Sequence, residues 1–251
     1  MPDIPASNYK PDQKLYEGKA KIIYATADPE VLITYFKDDA TAFNAQKKGQ
    51  IVNKGVVNCK VTTHLYNLLE KQGIATHLIE STGDRELKVK RVDIVPIEVV
   101  VRNIAAGSLC KQTGIALGTP LSPSLVEFYY KNDDLGDPLL TPGRIAAMQL
   151  TTPTQLDRLV DKAQTVNTVL TDFFASCDIT LVDFKLEFGA DKDGTLLLAD
   201  EISPDTCRLW DKNEPDQNKR VMDKDRFRQD LGNVAEGYQA VLARILTQIG
   251  S

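Results

Sequence analysis

The sequence predicts an α+β fold, and three observations carry that expectation. Strand-like runs crowd the first hundred residues, while the strongest helical periodicities lie at 50–71, beyond residue 152 and near the end of the chain. Strands and helices therefore segregate instead of alternating as βαβ units would. The length, 251 residues, suits one large domain or two small lobes with ample chain to bury a core. Finally, 42% hydrophobic and 26% charged residues are ordinary globular proportions, which excludes wholesale disorder.

Residues 1–13 contain three prolines and no apolar periodicity, so they read as a flexible leader. Strand-like runs follow at Lys14–Tyr16, Ala20–Thr26 and Val31–Phe36, forming an antiparallel meander whose first turn is Glu17-Gly18-Lys19. From Gln50 to Lys71 the period becomes helical: Val57, Val61, Leu65, Leu68 and Leu69 make one apolar stripe, and Gly73 supplies the stop. Two β-rich segments, Ala75–Glu80 and Glu86–Asn103, come next, with Pro96 predicting a break in the second. Residues 105–123 read as turns and Leu125–Lys131 as a strand. A long helix starts at Thr152, with Pro153 in the first helical position and Gln155 completing a capping box. Leu156, Leu159, Val160, Ala163, Val166, Leu170, Phe173 and Phe174 form its buried face. Ile179–Phe188 and Thr195–Ile202 flank a turn at 189–194 and read as a hairpin, and a last helix runs from Asp223 to Ile249. A lobe boundary falls near residues 92–103.

Composition excludes several chemistries. A net charge of −5 argues against a general nucleic-acid binder. Only His64 and His77 exist, which removes multi-histidine zinc sites. Cys59, Cys110, Cys177 and Cys207 lie far apart with no Cys-x-x-Cys pair, as reduced thiols in the cytoplasm would. No apolar run approaches the roughly 20 residues that span a bilayer, and the first residues lack the pattern of a signal peptide.

Four patches can carry chemistry. Tyr16-Glu-Gly-Lys-Ala-Lys21 is either an ordinary turn with solvated lysines or a cradle in which backbone amides and lysines meet a triphosphate. In Leu181–Gly189 the residues alternate, with Asp183, Lys185 and Glu187 on one face; symmetric closure of the hairpin brings Asp183 near Asp200. That face either meets water or supplies carboxylates to Mg²⁺, which takes one or two carboxylates together with phosphate oxygens. Glu98 and Arg102 sit in an apolar run and either pair with each other or leave Arg102, with the Gly107-Ser108 turn, to bind an anion. In Ser203–Asp211, Trp210 reads as structural and Arg208 as functional.

Together these patches resemble the phosphoribosylaminoimidazole-succinocarboxamide synthase (SAICAR synthetase) family of de novo purine synthesis. The most specific segments are 94–108 and 181–189. The glycine loop 18–21 and segments 131–138, 200–205 and 222–228 match as well, so the likeness covers the chain from about Leu15 to the last helix. The resemblance implies a two-lobed fold with a kinase-like and ATP-grasp-like nucleotide site. Residues 14–95 would form the β-rich nucleotide-binding lobe, and 96–251 the larger lobe for substrate and metal. It implies an ATP-dependent ligase that joins L-aspartate to carboxyaminoimidazole ribonucleotide through an acyl phosphate, with Mg²⁺ as cofactor. It also implies a cytoplasmic homodimer with small-molecule substrates and no nucleic-acid or membrane partner. Carried over position by position, Gly18, Lys19, Ala20 and Lys21 contact ATP phosphates. Asp93, Ile94 and Val95 form the adenine-binding connection, with Lys90 beside the nucleotide, and Glu187 and Asp200 hold Mg²⁺. Glu98, Arg102, Ser108, Asp183, Lys185 and Arg208 line the ribonucleotide pocket, supported by Asp205, with Lys185 and Asp183 at the chemistry. The loop with Asp133, Asp134 and Asp137 lies near the site, and the residues that hold aspartate stay unassigned. A kinase-like phosphotransferase would share the ATP site without needing a second phosphate pocket, and a nucleotide sensor would not need the metal carboxylates.

Overall fold

The computed structural model describes residues 13–42 and 46–250, so the expected leader, apart from Gln13, lies outside the described residues. The chain opens with β1 (Lys14–Glu17), β2 (Lys21–Ala25) and β3 (Val31–Phe36), the expected meander. Then come β4 (Asp39–Ala42), β5 (Lys47–Gln50), α1 (Lys54–Lys71), β6 (Leu78–Gly83) and β7 (Glu86–Lys90). The expected helix from Gln50 therefore begins four residues late, because 47–50 pair with 39–42 as a small hairpin. Its apolar stripe is otherwise as read: Val57, Val61, Leu65 and Leu69 are buried, and Leu68 is half-buried. Gly73, at φ 79°, takes the chain out of the helix, a conformation glycine adopts without a Cβ penalty.

Pro96 breaks its segment as expected, leaving β8 (Asp93–Ile94) and β9 (Ile97–Ile104). The turn-rich stretch contains a short helix, α2 (Ser108–Thr113), and the next strand is longer than expected, β10 (Pro120–Tyr130). A 3-10 turn at Asp133–Leu135, β11 (Leu139–Leu140) and α3 (Pro142–Ala147) lead to α4 (Pro153–Ser176). In α4 the capping box is complete: Thr152 Oγ1 accepts from the Gln155 amide, while Gln155 Oε1 accepts from the Thr152 amide. Such a cap contributes about 1 kcal/mol. Its expected face is buried, with Val160 and Phe173 half-buried at the margin.

The hairpin is β12 (Ile179–Ala190) and β13 (Leu196–Ala199), followed by β14 (Cys207–Asp211), α5 (Asp225–Arg228) and α6 (Val234–Gly250). The single last helix expected from Asp223 is thus two helices. Asp230, Gly232 and Asn233 all adopt positive φ between them and break the backbone hydrogen-bond ladder.

Two antiparallel sheets organise these elements. One has the order β1-β2-β3-β7-β6; the other runs β11-β10-β9-β12-β13, with β8 and β14 also pairing with β12. Central β12 buries Phe184, Leu186 and Phe188 in the main core, while Val182, at a register shift between Leu181 and Asp183, packs in a separate cluster with Ala106, Trp210 and Val221. Helix α4 packs on β12 and β9, and α1 packs on β3, β6 and α6. Among the described residues, no helix is long and apolar enough to cross a membrane.

Candidate active site

A cavity of about 680 Å³ lies between the two sheets, walled by Lys21, Ile23, Leu32, Thr34 and Val89 on one side and by β9 and β12 on the other. Period-two alternation decides what faces it. On β9, Val99 and Val101 go to the core while Glu98, Val100 and Arg102 point into the cavity. On β12, Asp183, Lys185 and Glu187 do the same. The two carboxylates on this face do not meet bulk water: Asp183 and Glu187 are only 3% and 2% exposed. Buried charges require partners, and the partners form two clusters.

The first cluster is built on lysines. Lys185 Nζ donates to Glu98 Oε1 at 2.9 Å and Glu187 Oε1 at 2.6 Å, and lies 3.7 Å from Asp200 Oδ2. Lys131 reaches Glu187 at 2.8 Å, and Lys21 bonds Asp200 and sits 3.0 Å from Glu201. Three ammonium groups thus face four carboxylates, Glu98, Glu187, Asp200 and Glu201. Burial by itself would raise the Asp200 carboxyl, but Lys21, Lys185 and Lys131 outweigh it and hold the group below its ordinary value. Burial wins at Glu98, whose carboxyl is raised despite Lys185. Burial works against the charge of Lys185, yet Glu187, Asp200 and Glu98 keep its ammonium well above the ordinary lysine value.

The second cluster is built on arginines. Register places Asp183 opposite Arg102 on β9 and Arg208 on β14, so one carboxylate is flanked by two guanidinium groups. Arg102 Nη1 donates to Asp183 Oδ2 at 2.7 Å and Nε donates to Glu127 at 2.6 Å. Arg208 Nη1 donates to Asp183 at 2.8 Å, and its Nε donates to Asp225, which Arg228 also holds. Ser108 Oγ accepts from Arg102 Nη2 at 3.1 Å. Gly107, at φ 57°, lets the turn approach Arg208: a Cβ there would lie 2.4 Å from Nη2.

Of the two alternatives for Glu98 and Arg102, the internal pair does not form: four residues apart on one strand face they are separated by about 13 Å, and Glu98 pairs with Lys185 while Arg102 pairs with Asp183. Asp183 is not across from Asp200 either. The hairpin pairs Glu187 with Ala199 and ends there, and nearer its start β12 takes β14 as partner instead.

Gly18, Lys19, Ala20, Lys21, Lys90, Ile94, Glu98, Arg102, Asp183, Lys185, Glu187, Asp200, Asp205 and Arg208 all line the one cavity. Asp93, Val95 and Ser108 do not line it: Asp93 is exposed and pairs with Ala190, the Val95 amide donates to the Phe188 carbonyl, and Ser108 is held by Arg102. Lys19 pairs with Asp133 across the mouth at 2.6 Å. Sequence reasoning gave no role to Lys54, Glu127, Tyr129, Lys131, Glu201, Lys224, Asp225, Arg228 or Tyr238. For Lys131, Glu201, Lys224, Asp225 and Arg228 a signal existed, since they fall in segments that carry the resemblance. Lys54 and Tyr238 sit within helical patterns and had none.

No group of three or more metal-ligating side chains is preassembled among the described residues. Glu187 and Asp200 nevertheless share Lys185 as a neighbour, a donor set suited to a hard cation that takes most of its ligands from phosphates and water.

The SAICAR synthetase family model matches residues 14–245. A phosphoribosylaminoimidazole-succinocarboxamide synthase of a Picosynechococcus strain is 65% identical over 237 residues, covering 94% of this chain and 95% of the relative. The crystal structure of the Ehrlichia chaffeensis synthase is 47% identical with a TM-score of 0.89, covering 93% of this chain and 98% of that one. A SAICAR synthetase solved in complex with ADP is 45% identical with a TM-score of 0.87, covering 92% and 96% respectively. This chain belongs to the SAICAR synthetase family.

Proposed function

We propose that the chain uses ATP to join L-aspartate to the carboxylate of carboxyaminoimidazole ribonucleotide, releasing ADP and phosphate. The observation that carries the reading is one cavity with two separate cation clusters, lysines beside the glycine turn and arginines beside Ser108. A triphosphate and a ribonucleotide phosphate need two such places. A phosphotransferase acting on an unphosphorylated acceptor has no use for the second.

A carboxylate resists an amine because its oxygen leaves poorly. The γ-phosphoryl passes from ATP to a carboxylate oxygen of the ribonucleotide, and ADP departs. The aspartate amine then attacks the carboxyl carbon, the bond to the phosphorylated oxygen breaks, and phosphate leaves with the amide formed and a proton released. Here the protein's contribution is positioning and charge neutralisation. Gly18 to Lys21 hold the phosphates, and Lys90 with the 93–95 connection holds the base. Arg102, Ser108 and Arg208 grip the ribonucleotide phosphate, Glu98 and Asp205 support that pocket, and Asp183 fixes both guanidinium groups. Lys185 belongs to the lysine cluster, two residues along β12 from Asp183 of the arginine cluster, and would meet the transferred group. Glu187 and Asp200 would hold Mg²⁺, which supplies neutralisation of the phosphate charge. The division into residues 14–95 and 96–251, a cytoplasmic location and a homodimer accompany this reading as family expectations, and four free cysteines fit the cytoplasmic location.

The test omits each substrate in turn while ADP is measured. Release should require both the ribonucleotide and aspartate. ADP formed without the ribonucleotide, on some other acceptor, would overturn the ligase reading.

A further inference from the structure

Helix α1 carries a second stripe besides its apolar one. Lys54, Asn58, Thr62 and Tyr66 recur every four residues, so they lie on one face, and all four are buried. That face reads the segment bearing Asp200, Glu201 and Asp205. Tyr66 OH donates to the Ala199 carbonyl at 2.7 Å, Thr62 Oγ1 donates to the Ile202 carbonyl at 3.2 Å, and Lys54 Nζ donates to Asp205 Oδ2 at 2.6 Å. From the other side, Tyr238 on α6 donates its hydroxyl to Asp205 Oδ1 at 2.7 Å. The Asp205 amide is tied to Ser203 Oγ at 3.1 Å, which fixes the turn itself.

The Lys54 side chain is 0% exposed and that of Asp205 is 4% exposed, so Lys54 cannot itself meet a ligand. Asp205 does line the cavity, beside Thr206, Arg208 and Lys224. A carboxylate has about four lone-pair directions. Lys54 and Tyr238 occupy one on each oxygen, which aims those that remain. Burial opposes the charge of Asp205, but Lys224 and Lys54 outweigh burial and keep it ionised, hence acceptor-only. We propose that Lys54 and Tyr238 are positioning residues that aim the Asp205 carboxylate at the N–H and O–H donors of the ribonucleotide. This rests on the functional reading above, in which the arginine end of the cavity takes that substrate.

Tyr238→Phe removes one tether while keeping the ring packing. Its kcat/KM for the ribonucleotide should fall about tenfold, as for loss of one hydrogen bond to a charged group, with KM for ATP unchanged. Lys54→Met strands a buried carboxylate and will lower the melting temperature, so it is paired with Lys54→Met/Asp205→Asn. The double variant should regain the melting temperature without regaining ribonucleotide kcat/KM. Should Tyr238→Phe melt earlier yet keep wild-type constants for all three substrates, the tether is structural and the inference fails. It fails equally if the double variant recovers turnover. A wild-type chain that releases no ADP with all substrates present overturns the functional reading, and this inference with it.

Discussion

Replacing Lys185 with methionine is the most informative single change at this site. The ammonium lies within hydrogen-bonding distance of Glu98 and Glu187 and 3.7 Å from Asp200, and its side chain is 26% exposed. Methionine keeps much of the volume but leaves Asp200 to Lys21 and Glu187 to Lys131, and takes from Glu98 the ammonium that it pairs with. Breaking a well-buried pair costs about 3–5 kcal/mol, and partial exposure argues for the lower end, about 3 kcal/mol. For a chain of this size each kcal/mol moves Tm by about 2–4 °C, so the melting temperature should fall by about 6–12 °C. Turnover should fall further than stability explains. Loss of one preorganised charge at the reacting centre costs about 10²–10³ in kcat. The assay is ADP release at saturating substrates, at a temperature where circular dichroism shows the variant folded. Adding Glu98→Gln removes one stranded carboxylate and should restore part of the Tm without restoring turnover. A folded Lys185→Met chain that turns over at the wild-type rate would refute the assignment.

Glu98→Gln alone tests the electrostatics. Burial holds the Glu98 carboxyl above its ordinary 4.5, so the fold keeps a proton that the unfolded chain releases, and stability drains away as pH rises from 4.5 through the folded value. The variant should therefore match or exceed wild-type Tm at neutral pH and show a flatter Tm–pH profile above 4.5; an unchanged slope sinks the idea. Two glycines separate the substrates. In Gly107→Ala the new Cβ falls 2.4 Å from Arg208 Nη2 and 2.7 Å from Cζ, at a φ of 57° that strains other residues. Ribonucleotide kcat/KM should drop more than about tenfold, as for a lost charge-assisted contact, with KM for ATP intact; the reverse pattern refutes it. In Gly189→Ala the Cβ meets Val92 Cγ2 at 2.7 Å and the Asp93 carbonyl at 3.1 Å, pressing on the 93–95 connection. Steady-state kinetics should show KM rising for ATP and not for the ribonucleotide, and an ATP KM equal to wild type would count against that wall as the nucleotide site.

Local rules in the sequence were enough for the elements whose signal is local. Val31–Phe36, the break at Pro96 and the Thr152 capping box are set by a β-branched and aromatic run, ring chemistry and a hydroxyl three residues from its partner. The misses share a cause. Gln50 reads as the start of the helical period until β4 offers 47–50 a ladder, and the last helix breaks where Asp230, Gly232 and Asn233 take positive φ. At the site, alternation correctly sent Asp183, Lys185 and Glu187 to one face, but pairing across the sheet depends on which strand lies next door. Arg102 looked four residues along its own chain to Glu98; in the fold it looks across to Asp183, 81 positions away. Lys54 and Asp205, 151 apart, carry no local trace of their contact.

The pairing also changes how binding must work here. Two of the lysines that line the cavity, Lys21 and Lys185, are already engaged by Asp200, Glu201, Glu98 and Glu187. On the proposed reading ATP would enter by exchange, each phosphate contact with these lysines loosening a carboxylate contact. Such an exchange would leave Glu187 and Asp200 less compensated as the triphosphate arrives, and would raise their affinity for a divalent cation. Nucleotide and Mg²⁺ should then bind with positive coupling, each tightening the other, as linkage requires. Glu187→Gln should weaken that coupling more than it weakens nucleotide binding measured without Mg²⁺. Calorimetric titration of ADP with and without Mg²⁺ separates the two quantities. Equal losses under both conditions would mean that Glu187 serves only to anchor Lys185 and Lys131, and the exchange picture would fall.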